Sequence, residues 1–148
     1  MYRHILIPTD GSELAQRAVS HGLSLAKAVG AKVTALIVEH SFDVFHVPES
    51  KMYSMPKEFA AYNAHIKEHA TKVLDGVAQA AKAAGVACET IQEVHDHPYQ
   101  SIIMTATEKG CDLIVMASHG KGGIVGLVLG SVTVKVLTHT KIPVLVCH

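Results

Sequence analysis

The chain has 148 residues and a mass of 15.8 kDa, and 49% of its residues are apolar, which predicts one domain, residues 1–148, with a sizeable core. Thirteen basic side chains balance thirteen acidic ones, so no net field recruits polyanions or anionic lipid, and a nucleic-acid or membrane-surface role loses its usual footprint. The longest uncharged apolar-rich stretch, Gly122 to Val134, has 13 residues, short of the roughly 20 that a bilayer-spanning helix needs. Cys88, Cys111 and Cys147 show no CxxC spacing, and Met-Tyr-Arg-His runs straight into Ile5-Leu6-Ile7 with no apolar signal region. The expectation is free thiols in a cytoplasmic protein.

In chain order, the apolar run His4 to Pro8 stops at Thr9-Asp10-Gly11-Ser12 and predicts a buried first strand. A helix follows, with Ser12 as N-cap, Leu14, Ala15, Ala18, Gly22, Leu23, Ala26 and Val29 on one stripe, and Gly30 as its stop. Val33 to Val38 is apolar or β-branched throughout, as in a strand covered on both faces. His40 to Pro56 has no stable period and reads as a long loop or marginal helix. A long amphipathic helix is then predicted with Phe59, Tyr62, Ile66, Ala70, Val73, Val77, Ala81 and Ala84 inward. Val86 to Val94 alternates with Glu89 and Glu93, as near a sheet edge. His95-Asp96-His97-Pro98 turns into a helix over Tyr99 to Lys109, Asp112 to Ala117 is a fourth strand, Ser131 to Thr138 a helix, and Pro143 to Cys147 a fifth strand.

Strands alternating with helices predict a three-layer α/β/α sandwich around a five-stranded, mostly parallel sheet, because parallel neighbours need crossover helices. Ligands of such open sheets bind beyond the carboxyl ends of the strands where strand order reverses. That points to Pro8 to Ser12, Val38 to Ser41, His95 to Pro98 and Ala117 to Gly130.

Five of the eleven glycines lie between Gly120 and Gly130, just after the fourth strand and just before the fourth helix. Glycine tolerates positive φ and lets backbone N–H groups converge on an anion, and a helix N-terminus beside it adds orphan donors and the positive end of a dipole. Phosphate is the natural guest, with Lys121 as a mobile charge. The Ser131 hydroxyl has two uses open to it, a phosphate oxygen or the N–H groups of its own helix as a plain N-cap. The familiar phosphate motifs fail: Val115 replaces the first glycine of GxxxxGK[ST], and a GxGxxG match from Gly120 breaks at Val125. The hydrolase elbow GxSxG fails at Met116.

ASHG, nine residues, then GS, a helix and KIPVLV resembles the universal stress protein family, whose nucleotide-binding members carry Gly-x2-Gly-x9-Gly-Ser/Thr. Gly120 and Gly130 match the second and third glycines, with Ser131 following, while Ala117 stands where the first should be. ILIPTDGSELAQRAV resembles that family's first strand and helix, DLIVMASHG its fourth strand, and the likeness spans essentially the whole chain. Asp96 in HDHP departs from the glycine that members often carry there. The resemblance implies a Rossmann-like, adenine nucleotide α-hydrolase-like fold binding ATP or a related adenine nucleotide, with magnesium, in a stress-associated role. Carried over by position, Pro8, Thr9 and Asp10 border the adenosine and Val38 touches adenine. Ala117, Ser118, His119, Gly120, Lys121, Gly122 and Gly123 wrap ribose and phosphates, and Gly130, Ser131, Val132 and Thr133 hold the phosphate tail.

Plainer readings stand beside these. Asp10 before Gly11 also suits a side-chain turn that starts the next helix. His65 and His69, spaced i, i+4, and His95 with His97 have metal-ligand spacing, but no Cys or carboxylate is fixed beside them, and they read as solvated helix residues and a polar turn. Three functions compete: a nucleotide-binding regulatory module, a slow ATPase or phosphotransferase using Asp10 with His119 or Ser131 as acceptor, and a nucleotide-independent dimeric scaffold. Only Arg3 and Arg17 are arginines, so nothing fixes an arginine clamp. The apolar run Pro143 to Cys147 invites edge pairing, family members dimerise through the corresponding strand, and a two-fold homodimer centred on Val144, Leu145 and Val146 is expected.

Overall fold

The computed structural model describes residues 1–41, 55–121, 123 and 128–148. Its apolar runs become five strands, β1 (His4–Pro8), β2 (Lys32–Glu39), β3 (Cys88–Val94), β4 (Leu113–Ala117) and β5 (Val144–Cys147), in the order β3-β2-β1-β4-β5. All four pairings are parallel, with Ile7 opposite Ala35 and Leu6 opposite Ile114. Among the described residues four helices connect them: α1 (Glu13–Val29), α2 (Met55–Ala84), α3 (Pro98–Glu108) and α4 (Ser131–His139).

Strand alternation divides the core into two layers. Ile5, Ile7, Val33, Ala35, Ile37 and Val115 pack toward α1 and α2, whereas Leu6, Leu36, Ile114 and Met116 pack toward α3 and α4. Every residue of β1 and β4 is buried, as their unbroken apolar runs predict. β3 occupies one edge of the sheet and mixes half-buried with exposed residues, none of them fully buried. Its half-buried Glu93 accepts hydrogen bonds from Ser101 and Thr105, which explains two hydroxyls on the inner face of α3.

Local chemistry sets the helix ends. The Ser12 hydroxyl accepts from Ala15 N at 3.2 Å and caps α1, which stops at Gly30. α2 begins at Met55, so Pro56 lies in its first turn, where a missing N–H costs nothing, and not in a loop. The rest of that loop, residues 42–54, lies outside the described residues. α2 buries Ile66, Ala70, Leu74, Val77 and Ala81. Leu74 joins the expected stripe, and Phe59, expected inward, is 45% exposed.

At the amino ends of the strands the Asp112 carboxylate accepts from Arg3 N at 2.9 Å and His4 N at 3.0 Å, tying β1 to the start of β4. All three cysteines are free, and burial, with help from Asp112, pushes the Cys111 thiol up to about 11. Among the described residues no helix is long and apolar enough to cross a membrane.

Candidate functional site

The chain runs from β1 outward through β2 to β3, then returns to place β4 and β5 on the other side of β1. Strand order therefore reverses between β1 and β4, and a cleft of about 450 Å³ opens there, within the range of small-molecule sites. Of the fifteen expected site residues, thirteen line it: Pro8, Thr9, Asp10, Val38, Ala117, His119, Gly120, Lys121, Gly123 and Gly130 to Thr133. Gly122 lies outside the described residues. Ser118 is 1% exposed and does not line the cleft. Its hydroxyl meets His119 Nδ1 at 3.0 Å and its carbonyl accepts from Gly130 N at 2.6 Å, so it supports the loop from beneath.

Asp10 unites both roles weighed for it. Oδ1 accepts from Ser12 N at 2.9 Å, forming the side-chain turn that starts α1, and Oδ2 accepts from Lys121 N at 2.6 Å, joining β1 to the glycine loop. This bridge explains Gly120, because a Cβ there would lie 2.7 Å from Asp10 Oδ2. Gly130 is explained in the same way, since a Cβ would lie 3.2 Å from the Ser118 carbonyl oxygen. Neither adopts the positive φ that was expected, so close approach to Asp10 and to the Ser118 carbonyl is what favours glycine at the two positions.

The first turn of α4 faces the cleft. Gly130, not Ser131, is the N-cap; Ser131 is the first helical residue, its hydroxyl makes no capping bond, and it is exposed. The N–H groups of Ser131, Val132 and Thr133 precede the first intrahelical bond, Val134 N to Gly130 O at 3.0 Å. The Thr133 hydroxyl donates to the carbonyls of Ala117 at 3.0 Å and Ser118 at 3.1 Å, fixing the helix to the end of β4. Ala117 is ordinary strand and packs in the layer beneath α1, so the motif's first glycine is not needed for backbone conformation.

Sequence reasoning missed part of the lining. Leu36, Ile102, Met116 and Pro98 give the cleft an apolar wall on the α3 side, and Glu39 and His40 extend it past the end of β2. Leu36 and Met116 were legible in principle as neighbours of the strand ends already singled out. His69, expected to be solvated, is held at the cleft rim, where Lys121 Nζ donates to its Nε2 at 2.8 Å. His95 Nδ1 accepts from His97 N at 2.9 Å, consistent with a polar turn, and no cluster of three metal-ligating side chains occurs among the described residues.

Two features of the cleft suit a phosphorylated ligand: the loop backbone comes close only because glycine leaves it bare, and α4 turns its unpaired N–H groups inward. In addition, His119 Nε2 is buried without a hydrogen-bond partner among the described residues. Such an atom marks a place where a polar partner is expected.

The sequence model of the universal stress protein family matches residues 1–148. Universal stress protein MJ0531 of Methanocaldococcus jannaschii is 32% identical over 146 residues, covering 99% of this chain and 82% of that one. The solved structure of MJ0577, a universal stress protein of the same organism, gives a TM-score of 0.82 at 29% identity, covering 99% of this chain and 96% of that one. A universal stress protein solved in complex with cAMP gives a TM-score of 0.71 at 25% identity, covering 99% and 97%. The glycine spacing, the parallel sheet with its cleft between β1 and β4, and these matches agree: the chain belongs to the universal stress protein family.

Proposed function

We propose that this chain is a cytoplasmic, stress-associated regulatory module that binds an adenine nucleotide, ATP with magnesium foremost, in the cleft between β1 and β4. The observation that carries the reading is the frame of the cleft: Asp10 bonded to the loop at Lys121 N, with Gly120 packed against the Asp10 carboxylate, Gly130 against the Ser118 carbonyl, and the first turn of α4 beside them. The related structure in complex with cAMP supports an adenine nucleotide as the guest. Val38, Leu36 and Met116 offer apolar surface for a base, with Pro8, Thr9 and Asp10 toward the ribose. The loop from Ala117 to Gly123 and the N–H groups of Ser131 to Thr133 would hold phosphates, which in turn supply part of a magnesium ion's coordination beside its waters.

Calorimetric titration of magnesium and ATP into nucleotide-stripped protein tests this. One site per chain is expected, weakened at least about tenfold, or 1.4 kcal/mol, in Asp10→Ala. A free nucleotide concentration a hundredfold above Kd should raise the melting temperature by about 5–10 °C, because ligand bound only to the native state stabilises it by about 2.7 kcal/mol. No heat, no melting shift and no nucleotide released on denaturation would overturn the reading in favour of a nucleotide-independent scaffold.

We further propose a two-fold homodimer through β5. Among the described residues β5 pairs only with β4, leaving its other edge open, and Leu145 is exposed there, as are Val134 and Leu137 on α4. Light scattering at micromolar concentration should give twice the chain mass, and Leu145→Lys should return it to one. A monomeric wild type defeats the proposal.

A further inference from the structure

α2 does not line the cleft, but its His69 side chain reaches Lys121, which does. The helix packs so closely on the Asp10–Gly11 turn that a Cβ on Gly11, whose φ is +79°, would lie 2.6 Å from Val73 Cγ2 and 3.5 Å from His69 Cε1. This seats the His69 ring at the rim, with Nε2 2.8 Å from Lys121 Nζ and 3.7 Å from Glu39 Oε1. The two neighbours make opposite demands. An ammonium has only donors, so the shorter contact needs a bare Nε2 and a neutral ring, whereas a protonated ring repels Lys121 and is drawn to Glu39. The main chain of Lys121 stays bonded to Asp10 Oδ2 in either case, so only the side chain changes partner.

We propose that His69 is a positioning residue: neutral, it holds the Lys121 ammonium against α2, and protonated, it releases that ammonium to an anionic ligand, so that a nucleoside polyphosphate binds more tightly as the pH falls. This rests on the nucleotide reading above. Histidine is the side chain that changes charge between about pH 5 and 8, so the exchange of partners falls in that range. Facing His69 are Glu39 at the end of β2, Lys121 from the loop and, behind Lys121, Asp10 before α1. His65, Glu68 and Lys72 share its helix, and His40 and His119 line the cleft. All of these remain when His69 alone is changed, so a comparison with the His69 variant isolates its share.

The test is calorimetry of magnesium and ADP at about pH 8 and about pH 6 on wild type, His69→Gln, Lys121→Met and the double variant, all altered at the cleft rim and away from the core. The gain in wild-type affinity on acidification should exceed that of His69→Gln by about two- to fivefold, the range of an exposed charge contact. The excess should vanish when Lys121 is methionine. NMR titration of nucleotide-free protein provides a separate readout: Lys121→Met should raise the His69 midpoint, because a neighbouring cation is gone. Equal pH responses in wild type and His69→Gln overturn the positioning role and leave nucleotide binding standing. An excess that survives Lys121→Met, or an unmoved His69 midpoint, also overturns it. No binding by wild type at either pH, with a raised midpoint in Lys121→Met, overturns the effect on ligand affinity and the nucleotide reading with it.

Discussion

Replacing Gly120 by valine should reduce adenine-nucleotide affinity at least about tenfold, or 1.4 kcal/mol, while lowering the melting temperature by only a few degrees. The cause is local. A Cβ at residue 120 falls 2.7 Å from Asp10 Oδ2 and 3.7 Å from its Cγ, so the carboxylate must move. Once displaced, it no longer accepts from Lys121 N, and this side-chain bond from the turn after β1 to the glycine loop is lost. A charge-assisted bond of this kind contributes about 1.5–3 kcal/mol, partly recovered here by water because Lys121 is exposed. The sheet beneath is untouched, so global stability should fall by about 1–2 kcal/mol. Gly130→Val should act similarly through the Ser118 carbonyl, 3.2 Å from its Cβ. Asp10→Ala should match Gly120→Val in affinity if the bridge is what matters. An unchanged affinity in Gly120→Val with an intact fold would remove the glycine loop from the binding site.

The topology was legible because β1, β2 and β4 carry near-continuous apolar runs, as strands covered on both faces do, while β3 mixes polar with half-buried residues, as an edge strand does. Phe59 misled because hydrophobic period reports a face, not what lies under it. α2 has 30 residues and is about 45 Å long, whereas the eight-residue β2 spans about 26 Å, so the first turns of the helix outrun the sheet. At the site, the glycine cluster was visible but its reason was not. Sequence suggests positive φ and close approach to a ligand, whereas glycine is favoured at 120 and 130 because Asp10 and the Ser118 carbonyl come close, and closeness between Asp10 and Gly120, 110 positions apart, is not written in any local pattern. The same holds for His69, flagged for its spacing to His65, whose real partner is Lys121 across the cleft mouth.

The far end of the sheet should set the acid limit of stability through His4. Its ring is buried at 5% exposure, Nδ1 lies 3.1 Å from the Lys109 carbonyl and Nε2 2.7 Å from Thr34 Oγ1. A carbonyl only accepts, so Nδ1 carries the hydrogen and Nε2 accepts from the Thr34 hydroxyl, which leaves a neutral ring with both nitrogens satisfied. Burial, followed by the charge of Lys32, holds its pKa below the ordinary 6.5, against a smaller upward pull from the Lys109 carbonyl, Asp112 and Glu89. Between the lowered folded value and 6.5, the unfolded chain therefore binds more protons than the native one, and stability rises with pH across that window. The contribution is fully present above 6.5 and is lost progressively as the pH falls toward the folded value. Urea denaturation of wild type and His4→Gln at about pH 7.5 and about pH 5, on either side of the ordinary value of 6.5, should show a smaller loss on acidification in the variant, although ten other histidines remain. Equal losses would mean that His4 does not drive the acid response. At neutral pH, His4→Ala removes a buried ring and strands both the Lys109 carbonyl and the Thr34 hydroxyl, so it should cost about 3 kcal/mol and lower the melting temperature by about 6–12 °C. Its distance from the cleft between β1 and β4, at the opposite end of β1, predicts a large loss of stability with unchanged affinity in the folded fraction, the reverse of Gly120→Val.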